Sequence, residues 1–66
     1  MKPVAGQLRV WIHGEGSLKR RGAPFLVIEV IKDEIRDCTR VLESGKVYSV
    51  WTRTVEVESE ADFEAR

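Results

Sequence analysis

A chain of 66 residues has room for one domain, close to the lower limit at which a hydrophobic core by itself offsets the entropy of ordering the backbone, so added burial through self-association is expected. Charged side chains make up 33% of it and sum to zero net charge, which excludes a global field toward nucleic acid or membrane and leaves recognition to local asymmetry. The single cysteine, Cys38, excludes an internal disulfide and a cysteine-built zinc site, and no apolar run has the roughly 20 residues of a membrane helix, so a reducing, cytoplasmic setting without a membrane partner is expected.

Leu8, Val10 and Ile12 alternate with Arg9, Trp11 and His13, the period-2 pattern of a half-buried strand from about Gln7 to His13. This reading leaves Arg9, Trp11 and His13 on the exposed side. From Gly14 to Pro24, three glycines and a proline break regular structure, and this long loop is a functional candidate by its length alone. Phe25 to Ile31 is apolar except at Glu29, as in a central strand bent through a barrel wall, with Leu26, Ile28 and Val30 on one face and Phe25, Val27 and Ile31 on the other. Lys32-Asp33-Glu34 reads as a charged turn. A third strand from about Ile35 to Leu42 sets Ile35, Thr39 and Val41 opposite Arg36, Cys38 and Arg40.

Two β-rich runs flank Glu43-Ser44-Gly45-Lys46, and Gly45 supplies the positive φ of a tight hairpin turn. The fourth strand follows from Val47 to Trp51, with Trp51 read as a core residue whose indole N–H meets a carbonyl. Thr52-Arg53-Thr54 interrupts the alternation before Val55-Glu56-Val57 resumes it, which predicts a 3-10 turn and a last short strand. Beyond it Glu58, Glu60, Asp62 and Glu64 stand against Arg66, the composition of a flexible acidic tail. The organisation expected is therefore a barrel over residues 1–57 and a tail over 58–66.

Three stretches carry a family resemblance: Gly22-Ala23-Pro24-Phe25-Leu26-Val27-Ile28-Glu29-Val30, Arg40-Val41-Leu42-Glu43-Ser44-Gly45-Lys46-Val47 and Ser49-Val50-Trp51-Thr52-Arg53-Thr54-Val55-Glu56-Val57. With Lys2-Pro3 and Gly6-Gln7-Leu8-Arg9-Val10 as a looser opening, interrupted by Val4-Ala5, they resemble the short SH3-like barrel proteins of tailed phages. The resemblance implies an all-β, SH3-like five-stranded small barrel and a role in a virion or a host-directed complex. Its motifs are those of a fold and name no chemistry.

His13 is the only histidine, and no Ser-His-Asp or phosphate-loop spacing appears, so an enzyme is not expected, nor is a metal or other cofactor. Lys19-Arg20-Arg21 is a run of adjacent cations in the loop, able to grip phosphates beside the stacking faces of Trp11 or Tyr48. The partner-binding set read from the sequence is Trp11, His13, Lys19, Arg20, Arg21 and Tyr48. The function expected is a non-enzymatic protein-interaction or structural accessory module, phage-derived and self-associating. The alternative is a nucleic-acid-binding small barrel that uses Lys19 to Arg21.

Overall fold

The computed structural model describes residues 2–14 and 19–61. Strands β1 (Leu8–Trp11), β2 (Pro24–Ile31), β3 (Cys38–Glu43) and β4 (Lys46–Trp51) are followed by helix α1 (Thr52–Glu58) and strand β5 (Ser59–Ala61). They form one antiparallel sheet in the order β4-β3-β2-β1-β5. The chain is thus mostly β, but β4 and β5 remain edges, so the sheet is open where a closed barrel was expected, and α1 spans from one edge to the other.

The hairpin between β3 and β4 forms as its residues demand. Ser44 and Gly45 both have positive φ, at 54° and 79°, the pair of left-handed residues that matches a two-residue turn to the twist of its strands. Its register is continuous from Glu43 opposite Lys46 to Cys38 opposite Trp51. In β2 the register slips between Val27 and Glu29, so Ile28 is an extra residue. That bulge reverses parity halfway along the strand: Phe25 and Val27 face the core before it, and Val30 packs on the core after it. The expected face of Leu26, Ile28 and Val30 is therefore split. Ile35 lies outside β3 and is 86% exposed, contrary to the expectation that it shares a strand face with Thr39 and Val41.

The first strand is turned over relative to the alternation read from it. Trp11 and Arg9 are each 1% exposed, whereas Leu8 and Ile12 face outward. An indole buries more area than any aliphatic group here, and this one stacks on Phe25 with ring centroids 4.2 Å apart. Trp11, Phe25, Val27, Val41 and Val55 form the buried centre, with Val30, Tyr48 and Val50 packed against it.

Residues Thr52 to Glu58 were expected to make a 3-10 turn and a strand over Val55–Val57; they form α1 instead, and the last strand is Ser59–Ala61. Alternating Val and Glu favours a strand locally, but tertiary contacts decide. Thr52 and Val55, three apart, fall on one helical face and are both buried, with the Thr52 hydroxyl 2.8 Å from that of Thr39. The helix end is closed by Arg9, whose Nη2 donates to the carbonyls of Val55 at 3.3 Å and Ser59 at 3.0 Å, while Nε donates to Ser59 Oγ at 2.8 Å. A guanidinium at the carbonyl end of a helix is favoured by charge as well as by hydrogen bonding. Burial lowers the Arg9 pKa, and Glu56 and Glu60 oppose that shift. Ordered structure thus extends past the barrel–tail boundary expected at Val57. The remainder of the expected tail, residues 62–66, and residues 15–18 of the expected long loop lie outside the described residues.

Candidate functional site

Of the predicted partner-binding residues, Trp11, Lys19, Arg20 and Tyr48 gather near the β3–β4 turn, but not as an exposed patch. Trp11 is interior and donates from Nε1 to Glu43 Oε1 at 2.8 Å, so it is not the exposed anchor expected of it. Tyr48 is half-buried and its hydroxyl donates to the same oxygen at 2.8 Å. Burial, reinforced by the Glu43 carboxylate, pushes the phenol well above its ordinary pKa. Glu43 is itself buried, and its second oxygen, Oε2, has no hydrogen-bond partner among the described residues. The three side chains form an interior polar cluster that ties β1, β3 and β4 together.

The basic run turns toward its own chain. Lys19 pairs with Glu58 of α1 and lies 5.3 Å from the centre of the Trp11 ring, covering one side of the buried indole. Arg20 reaches Ser44 Oγ in the hairpin turn at 3.4 Å. Arg21 and His13 are exposed. Lys19 and Arg20 therefore brace the end of the sheet nearest the β3–β4 turn and are not aimed at solvent as a pair.

At the opposite end of the sheet the structure has a groove of about 830 Å³ where the end of β2, the 32–37 connection, the start of α1 and the N-terminal Lys2–Pro3 meet. Trp51, expected in the core, is 55% exposed here. Its parity explains this: Trp51 alternates with Val50, which packs on the core, and lies opposite Cys38 as the last residue before the chain leaves the sheet. Arg36 covers the Trp51 ring with its guanidinium carbon 3.9 Å from the ring centre. Ile35 and Val57, the latter 50% exposed, add further apolar surface, and Pro3 and Val30 line the groove as well.

Neither a family model, nor a curated protein, nor a solved structure matches the chain. The site is therefore read from its own chemistry.

Lys2, Lys32, Arg36 and Arg53 bring positive charge to the groove, and Asp37 and Glu56 bring negative charge. Lys32 donates to Asp37 Oδ2 at 3.2 Å, and that hydrogen bond holds the Asp37 carboxyl below its ordinary pKa. The pair cancels locally, leaving Lys2, Arg36 and Arg53 against Glu56. An apolar trough with an exposed tryptophan and a surplus of cations at its margin suits a ligand with an apolar group flanked by carboxylates. Among the described residues no three His, Cys, Asp or Glu side chains come together as a metal site, and no helix is long and apolar enough to cross a membrane.

Sequence reasoning missed Ile35, Arg36 and Arg53 because the first two read as the start of the third strand and Arg53 as part of a 3-10 turn. The usable signal was the opposite parity of Tyr48 and Trp51: with Tyr48 inward, Trp51 has to face out.

Proposed function

We propose that the chain is a non-enzymatic protein-interaction module, with an SH3-like arrangement of its strands, that binds an extended segment of a partner in the Trp51 groove. The strand order β4-β3-β2-β1-β5, with one helical segment between β4 and β5, supports the SH3-like reading. A phage-derived accessory role rests on the resemblance of residues 22–30, 40–47 and 49–57. The observation that carries the binding proposal is Trp51 itself, a large aromatic left half out of the core in a groove with other exposed apolar groups. A solvent-exposed tryptophan next to Arg is the kind of residue on which binding energy concentrates.

The nucleic-acid alternative through Lys19, Arg20 and Arg21 draws less support, since Lys19 and Arg20 are engaged with Glu58 and Ser44. The test is a random peptide library panned against the wild-type chain and Trp51→Ala, alongside titration with single-stranded DNA at low and high salt. Enrichment of peptides with an aromatic or aliphatic residue between acidic ones, lost in Trp51→Ala, is the expected result. Failure of the wild type to enrich any sequence, or equal capture by Trp51→Ala, would refute the proposal. Salt-sensitive DNA binding abolished by Lys19/Arg20/Arg21→Ala would replace it with the alternative.

A further inference from the structure

The face of the sheet turned away from the core has a pattern that the groove does not use. Direct cross-strand pairs run Leu8–Leu26, Leu26–Leu42 and Leu42–Val47, making one apolar row across four strands. Leu8, Leu26 and Val47 are exposed, and Leu42 is half-buried. The next outward row is polar: Glu29 lies opposite Arg40, and Arg40 opposite Ser49. Arg40 Nη1 is 3.2 Å from Glu29 Oε2, and the two side chains are 44% and 50% exposed, so each keeps polar capacity on the solvent side.

From this pattern we infer that a second copy of the chain packs on this face, about a two-fold axis running along the strands between β2 and β3. A face that meets its own copy must be self-complementary under that rotation. With the axis along the strands, β2 of one copy lies over β3 of the other and each row meets itself. Leu26 then faces the partner's Leu42, Leu8 faces the partner's Val47, and Glu29 faces the partner's Arg40. Turning the axis across the strands through the charged row puts Glu29 on Glu29 and Arg40 on Arg40, which repels. Charge therefore selects the first arrangement, and it is the aligned mode in which twisted sheets stack, about 10 Å apart.

The Leu8–Leu26–Leu42–Val47 row and the charged row, with Ile31 and Cys38 one row further on the same face, make an interface at the small end of the range for specific complexes, so the dimer is in equilibrium with monomer, with a Kd on the order of micromolar. The central pair reports on the axis. Glu29→Arg makes that row positive, and Arg40→Glu makes it negative.

Sedimentation equilibrium of the full chain tests this with the protein alone. The wild type is expected to dimerise, and each single variant to lose dimerisation by roughly tenfold or more. An equimolar mixture of the two variants should restore a dimer, as should a chain carrying both changes. Leu26→Lys should be monomeric with an unchanged circular dichroism spectrum. A wild type still monomeric at about 500 μM, or single variants that dimerise as well as wild type, would overturn the inference. So would a mixture that stays monomeric, or a Leu26→Lys chain that still dimerises. The groove proposal is read by peptide capture instead, so either reading can fail without the other.

Discussion

The two tryptophans sit in opposite surroundings. At one end, Trp11 is enclosed, stacked on Phe25, hydrogen-bonded to Glu43 and covered by Lys19, and the nearby cations are spent on the protein's own carboxylate and hydroxyl groups. At the other, Trp51 is half open, and Lys2, Arg36 and Arg53 surround a groove containing Ile35 and Val57. A run of adjacent cations is therefore a poorer guide to a binding surface than the fate of the aromatic beside it. Where the aromatic is buried the cations act as braces, and where it is exposed they are available to a ligand.

The comparison breaks most sharply under tryptophan removal. Trp11→Ala should cost about 3–5 kcal/mol in urea unfolding, enough to leave so small a domain largely unfolded. Trp51→Ala should cost under about 1 kcal/mol, with peptide capture lost. Next in size is Glu43→Ala, which leaves the Trp11 N–H and the Tyr48 hydroxyl without their acceptor. A loss of about 2–3 kcal/mol is expected, and Glu43→Gln, which keeps a carbonyl for both donors, should lose less.

How much of this was legible in the sequence follows the same division. The hairpin at Ser44-Gly45, the central apolar strand, and the shared face of Thr39 and Val41 were readable because turn chemistry and strand alternation hold there. The orientation of β1 was not: Leu8, Val10 and Ile12 have the more apolar alternation, yet Trp11 has the larger area to bury, and Arg9 is tolerated inside only because Ser59 and the carbonyls closing α1 meet its guanidinium. Those partners are about fifty residues distant in sequence, where periodicity carries no information. Helix α1 was hidden for a related reason. A Val-Glu alternation reads as strand until the spacing of Thr52 and Val55 is set against a core that only the folded chain supplies. The groove was the least legible part, because its cations come from three separate stretches, the N-terminal segment, the 32–37 connection and α1.

Smaller effects sharpen the contrast. Lys19→Ala should cost about 1 kcal/mol through the lost Glu58 contact and the uncovered indole, leaving peptide capture unchanged. Arg36→Ala should do the reverse, changing stability by less than about 0.5 kcal/mol and weakening capture several-fold. The smallest effect is confined to alkaline solution. Tyr48 has a folded pKa above its ordinary value of 10.0, so below about pH 10 both states hold the proton and stability is indifferent to it. Above that pH the unfolded chain releases the proton first, and stability falls as pH rises. Tyr48→Phe should flatten this alkaline slope in urea melts taken between about pH 9 and 11.

The most direct test of the contrast is the pair of tryptophan indole N–H signals in a proton–nitrogen correlation spectrum, followed while a peptide enriched on the wild-type chain is added. With the Trp11 N–H bonded to a buried carboxylate and Trp51 lining the ligand groove, the Trp51 signal should shift through the titration while that of Trp11 stays in place and exchanges slowly with water. A titration that moves the Trp11 signal and leaves Trp51 unchanged would contradict the assignment of core and binding surface.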